Sequence, residues 1–327
     1  MRSCERSAMT TPFEFLAARF TVGRRGLRWA TSAALLMSVV LVITGGIVRV
    51  TGSGLGCPTW PACTGDSVVA TEAMGIHGAI EFTNRMLTWV LCAAVGAVII
   101  AARLQKPWNR AVTRLGWLQF WMVVLNAVVG GITVLTGLNP YIVAAHFVAA
   151  TLLITAATWT WHRVRVEQDG PPPVVSARSH QLARWLVGVT ALLVVVGTVV
   201  SGAGPHAGDS RDVYRIPISW TAVTWVHGVL AVAVFALAVA LLRSLSPADR
   251  TARFRTVIFL VVFFAQGLIG LVQSLTGLPE LVVALHLLGA ALVWVGALRV
   301  LLDAPDKVRT FEAPAAVAGS ATPAVAK

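Results

Sequence analysis

The chain has 327 residues, of which 57% are hydrophobic and only 12% charged, and its mean hydropathy is +0.77. This composition excludes an ordinary soluble domain and fits a polytopic helical membrane protein, while the lack of short alternating segments excludes an outer-membrane barrel. The formal net charge is +12, but the basic residues do not gather in one patch, which argues against nucleic acid as a partner.

Eight apolar runs reach spanning length, roughly 29–50, 76–102, 115–136, 141–161, 184–203, 218–242, 256–275 and 281–302, against a need of about 20 apolar residues per helix. The tail before the first run carries Arg2, Arg6, Arg19, Arg24, Arg25 and Arg28, and further basic clusters follow the second, fourth, sixth and eighth runs. Of the 26 Lys and Arg, only Arg49, Arg85, Arg211 and Arg215 belong to the other side or to the membrane. The positive-inside rule then places both termini in the cytoplasm, as an even number of spans requires. The first run is not a signal peptide: its apolar core exceeds the usual span of about 7–15 residues, and no small-residue cleavage site ends it. After residue 303 the chain is rich in Ala, Pro and Val, a composition expected to be disordered.

The chain repeats itself. "TGLNPYIVAAH" (136–146) matches "TGLPELVVALH" (276–286), "VRVTGSG" (48–54) matches "VVSGAGP" (199–205), and "IEFTNRML" (80–87) matches "VTWVHGVL" (223–230). The repeat divides the protein into a first four-helix half, 29–165, and a second, 184–302, joined by a cytoplasmic linker, 166–183. Four-helix units enter and leave on one side, so the halves are read as parallel, pseudo-symmetric bundles about an axis along the membrane normal. A duplicated scaffold with no retained site is the plain alternative. The matched His146 and His286 weigh against it, because polar groups in membrane helices are costly.

His77, His146, His227 and His286 fall in runs 2, 4, 6 and 8, all in the outer half of the bilayer. His162 and His180 stand beside arginines on the other side, where solvated residues are expected. A single intramembrane histidine often only bonds a neighbouring group. Two at matching depth on facing helices are suited to both axial positions of a haem, whereas zinc wants further nitrogen or sulfur ligands. His227 and His286 therefore read as a bis-histidine haem site. In the first half His146 faces Asn84, a poor iron ligand, so that half is expected to leave a coordination position open for a substrate. His77, Glu81 and Asn84 share one helix face. His77 is either an alternative ligand or an interfacial histidine. Glu81 is either the ion-pair partner of Arg85, one turn on, or an acid–base group beside bound substrate. Cys57 and Cys63 share the loop "GSGLGCPTWPACTGD" after the first run, in a compartment that permits a disulfide. Cys4 and Cys92 lie elsewhere.

"TGSGLGCPTWPAC" after the first run, "IEFTNR" in the second and the histidines of runs 4, 6 and 8 resemble the heme A synthase family, and the likeness covers almost all of residues 29–302. The resemblance implies a plasma-membrane oxidoreductase that converts a methyl group of heme O to the formyl group of heme A, through an alcohol and a hydrated aldehyde, for cytochrome oxidase assembly. It implies haem B as cofactor on His227 and His286, His146 as a ligand of the substrate haem, with Asn84, His77 and Arg85 lining that side, and Glu81 as the catalytic glutamate. Asn84 departs from the family's usual histidine. The Cys57–Cys63 pair becomes a thiol–disulfide couple above the substrate, against a purely structural bridge as the alternative. Implied partners are lipid, heme O, heme O synthase, a quinone or other electron acceptor, and oxidase assembly factors. Two rivals from other classes are a non-catalytic di-haem cytochrome of b type and a transporter. The first would pair histidines in both halves; the second needs broken helices or midplane ion ligands.

Overall fold

A computed structural model describes residues 12–209 and 213–306. After a short helix α1 (Pro12–Arg19), eight long helices follow: α2 (Arg24–Val50), α3 (Gly75–Arg103), α4 (Arg110–Leu135), α5 (Pro140–Asp169), α6 (Ala177–Ala203), α7 (Trp220–Ser244), α8 (Arg250–Leu275) and α9 (Glu280–Leu302). All eight are long and apolar enough to cross a membrane. Four of their starts are set by short polar side chains that accept orphan amides of the first turn. Asn109 accepts from Val112, Asn139 from Tyr141, Ser176 from Ser179 and Ser219 from Ala222. Pro140 occupies the first turn of α5, where its missing N–H costs nothing.

The helices pack in two rings. Helix α2 touches α3 and α5, and α4 touches α3 and α5; likewise α6 touches α7 and α9, and α8 touches α7 and α9. Neither α3 and α5 nor α7 and α9 touch each other, so each of these pairs stands diagonally across its ring. Each ring has its own apolar core, around Leu91, Val95 and Val123 in the first and around Leu186, Val234 and Phe259 in the second. A third cluster, Val39, Ile154, Ala291, Trp294 and Leu298, joins α2, α5 and α9, and there the Trp294 indole donates to Thr155 Oγ1 at 2.9 Å. Large apolar side chains on the outer faces stay exposed, Trp29, Trp225 and Leu275 among them, as helices bathed in lipid require.

The repeated "TGL" makes the same turn twice. Leu138 (φ 60°) follows Gly137 (φ 59°), and Leu278 (φ 62°) follows Gly277 (φ 77°). A left-handed leucine costs about 1–2 kcal/mol. At Leu138 the buried side chain offsets that cost by filling the space between Gly54 and Gly208. Above it the two loops on this side meet: Ser53 and Asp209 form an antiparallel bridge, and Gly54 N–H donates to the Gly208 carbonyl at 2.7 Å.

On the arginine-rich side the structure corrects three expectations. Helix α5 runs on to Asp169, so the connector to α6 shortens to residues 170–176. The polar last turns of α5 are held from outside: Arg28 pairs with Asp169 at 2.9 Å, and Arg24 donates to the carbonyls of Glu167 and Gln168. His162 and His180 are not solvated. His162 is buried 3.4 Å from Asp303, and His180 Nδ1 lies 2.8 Å from the Ala304 carbonyl. The start of the expected disordered tail is packed, since Asp303 and Ala304 are buried and Asp303 binds both Arg255 and Arg299. The rest of that tail, with the N-terminal arginines Arg2 and Arg6, Cys4 and Arg211, lies outside the described residues.

Candidate functional site

The polar residues of the "IEFTNR" segment fold back on the cysteine loop. Cys57 and Cys63 form a disulfide, with Cα atoms 4.5 Å apart, and both are fully buried. The Cys57 amide donates to Glu81 Oε2 at 2.7 Å. Arg85 Nη2 donates to Glu81 Oε1 at 2.5 Å and to the Cys57 carbonyl at 3.0 Å, while Nη1 donates to the carbonyls of Thr59 and Ala62 at 2.9 and 3.2 Å. Glu81 is 5% exposed. A buried carboxylate without partners costs several kcal/mol; here each oxygen has one, and the arginine spends its remaining donors on the loop. The ion pair foreseen between Glu81 and Arg85 is present, as one corner of a larger clamp. Trp60 of the same loop packs on Gly131 of α4, where any side chain would collide with the indole.

His77 is exposed, and its Nδ1 sits 2.9 Å from Ser53 Oγ. It is thereby tied to the loop crossing rather than directed along the face of Glu81. Asn84 is half-buried, and its Oδ1 accepts from Thr44 Oγ1 of α2 at 2.7 Å.

The other three intramembrane histidines share one arrangement. Each presses Cε1 against a glycine of the preceding helix, with Nδ1 beside it; in His146 Nε2 is equally near. An added Cβ would lie 3.0 Å from His146 Cε1 at Gly130, 3.1 Å from His227 Cε1 at Gly197, and 3.1 Å from His286 Cε1 at Gly270. The Nδ1 atoms of all three are buried and make no hydrogen bond of ordinary geometry, although the Leu193 carbonyl interacts with the His227 ring. In His227 and His286, with that edge against the neighbouring helix, Nε2 faces the other way. His227 on α7 and His286 on α9 stand on diagonal helices of the second ring. His146 on α5 stands diagonally across the first ring from α3, the helix of Asn84 and Glu81.

The predicted residues therefore fall into three groups. Glu81, Arg85, Cys57 and Cys63 form one, with His77 attached through Ser53. His227 and His286 form a second. His146 and Asn84 occupy diagonal helices of the first ring. Sequence reasoning missed Gly130, Gly197 and Gly270, Thr44 and Ser53. A signal existed for two of them: Gly130 and Gly270 precede His146 and His286 at the same spacing.

Diagonal helices that each carry an imidazole with a buried Nδ1 lacking a hydrogen bond of ordinary geometry present the nitrogen donor set that haem iron takes. The residues thus fit a haem, and the class the fold defines is a helical membrane protein with a disulfide loop over one ring. Residues 28–298 match the family of cytochrome oxidase assembly proteins described as COX15-CtaA, and the chain belongs to that family. Among its relatives, a protein named heme A synthase from Rhizorhabdus wittichii is 26% identical over 82% of this chain and 92% of its own length. Heme A synthases from Lysinibacillus sphaericus and Listeria welshimeri are 30% and 33% identical, over 38% and 36% of this chain. Those two matches span about two fifths of the relatives, 40% and 39% of their lengths.

Proposed function

We propose that this protein is a heme A synthase, a membrane oxidoreductase that takes heme O and converts one porphyrin methyl group to a formyl. The net change removes two hydrogens and adds one oxygen, through an alcohol and then a hydrated aldehyde that loses water. Water supplies the oxygen, and a quinone or other acceptor takes the four electrons released with four protons. Family membership over nearly the whole helical region supports the activity. The diagonal pair His227 and His286 is the observation that carries the haem reading.

In this reading haem B is the resident cofactor of the second ring, and His227 and His286 hold it through Nε2. It supplies one-electron iron chemistry. The first ring takes the substrate. His146 offers it one axial nitrogen, and Asn84, held by Thr44, offers no comparable ligand, so the two rings differ in what they leave open. Glu81 is the catalytic group. Arg85 and the Cys57 amide fix its orientation and favour its charged form, so it meets developing positive charge, or accepts a proton, at a set position. Arg85 and His77 act through that carboxylate and the loop. The Cys57–Cys63 pair is the redox couple above the substrate. Because both sulfurs are buried, exchange with another thiol requires the loop to lift off Arg85.

The two rings are the parallel, pseudo-symmetric halves of the repeat. The arginine-rich face and both termini lie in the cytoplasm, and the cysteine loop lies outside the cell membrane. Heme O synthase and cytochrome oxidase assembly factors are the partners this chemistry calls for.

The test is expression in a host that makes heme O but has no synthase, followed by haem extraction. Heme A in the extract is the expected result. Haem B alone would favour the electron-carrier alternative, and no haem would favour a transporter.

A further inference from the structure

Arg49 and Arg215 have no role in the scheme above, and their placement demands one. Arg49 sits in the last turn of α2, and Arg215 in the segment before α7. They are near enough to repel each other. No ion pair joins either to a carboxylate among the described residues. Both reach the end of α6: Arg49 Nη2 donates to the Ser201 carbonyl at 2.8 Å, and Arg215 Nη1 donates to the Gly204 carbonyl. Capping those carbonyls uses part of their donor capacity. Arg49 Nε is buried and bonded to nothing. One cation at a helix C-terminus is ordinary. Two adjacent ones, with a buried free donor and no ion pair to a carboxylate among the described residues, make a site for an anion.

The level of this pair in the bundle identifies the anion. Gly46 of α2 packs on Leu287, the neighbour of His286. Arg49 lies three residues beyond Gly46, about 4.5 Å further along the helix at 1.5 Å per residue, toward the side where the loops meet. Arg215 approaches from the connection between α6 and α7, the helix that carries His227. The pair thus stands roughly one turn above the imidazoles of the second ring. A haem held between those imidazoles with its propionate edge toward the loops would bring its two carboxylates to that level.

We propose that Arg49 and Arg215 form the propionate site for the haem held at His227 and His286. The proposal rests on the haem reading of that histidine pair. It assigns to each arginine two functions, closing the end of α6 and neutralising a carboxylate that would otherwise be carried into the membrane unpaired.

The test compares two ligands on full-length protein, prepared haem-free from a haem-deficient host: iron protoporphyrin IX and its dimethyl ester, which lacks the carboxylate charges. Binding is read from the low-spin spectrum. Wild type should prefer the free acid by roughly ten- to hundred-fold per arginine engaged, the value of a charge-assisted hydrogen bond. Arg49→Gln and Arg215→Gln should each shrink that preference, and the double variant should bind acid and ester almost equally. Arg215→Lys, which keeps the charge, should retain most of it and guards against loss of fold in the Gln variants. If the variants weaken both ligands alike, or keep the wild-type preference, the arginines only cap α6 or pair with an internal carboxylate, and the proposal fails. If wild type binds neither porphyrin, the haem reading itself fails and takes this inference with it.

Discussion

The Cys57 amide donates to the Glu81 carboxylate at 2.7 Å, so the disulfide and the buried acid are joined through a single hydrogen bond. Arg85 closes the same circuit from the other side by binding both Glu81 and the Cys57 carbonyl. What happens to either residue is felt by the other.

Glu81→Gln keeps an oxygen for the Cys57 amide but gives up the charge that Arg85 neutralises. It should fold, retain the second-ring haem, and lose conversion of heme O, with a hydroxylated intermediate accumulating. Removing Arg85 alone should be worse for stability, by about 3–5 kcal/mol, because it strands a buried carboxylate. The double change to neutral residues should recover part of that loss. Extracted haem per folded molecule and thermal unfolding, measured on all three variants, separate the roles. Normal heme A output from Glu81→Gln would remove the catalytic assignment and leave a purely structural clamp.

Thiol labelling addresses the loop. Cys57 and Cys63 should resist labelling in protein isolated without reductant and react after reduction, while Cys92 behaves independently as the free cysteine among the described residues. Arg85→Gln frees the loop carbonyls and should speed reduction by a small thiol about tenfold or more, the equivalent of at least one lost charge-assisted hydrogen bond. Equal reduction rates in the two proteins would show that Arg85 does not control access to the bridge.

His227→Ala and His286→Ala should each empty the second ring or turn its haem from low to high spin. His146→Ala should leave that spectrum intact and stop turnover. Optical spectra of the three purified variants decide the matter: an unchanged low-spin signal in both of the first two would overturn the cofactor assignment.

The glycines behind the rings offer a subtler probe. Gly270→Ala sets a methyl 3.1 Å from His286 Cε1. Overpacking of this kind costs about 1–3 kcal/mol and should tilt the imidazole, shifting the resident haem's spectrum without removing it. Gly130→Ala does the same to His146 and should lower heme A formation while the resident spectrum stays fixed. If both variants match wild type in spectrum and product, the glycine contacts do not position the rings.

The eight spans were legible in the sequence because lipid demands long apolar runs and leaves little freedom in where they fall. The overrun of α5 was not, since Arg163 to Asp169 are mostly polar and are held partly by Arg24, Arg28 and Asn109 of other elements. The histidines could be paired from the internal repeat, which compares positions directly. The clamp could be read only in part: the Glu81–Arg85 spacing is visible, but Arg85's other acceptors are backbone carbonyls, which leave no mark in a sequence. Thr44 went unseen for a related reason, because nothing along the chain links it to Asn84 across two helices.

His146 and His286 are steadied by the shape of a neighbouring helix, and the protein offers their Nδ1 atoms no acceptor. A metal-bound imidazole backed by a carboxylate gains basicity and a fixed tautomer from that second bond. These rings gain neither. If these rings ligate haem iron as proposed, such a ligand would donate less charge to the metal and would favour the ferrous over the ferric state. The glycine contacts would thereby set an electronic property as well as a geometric one, biasing iron held there toward keeping its electron.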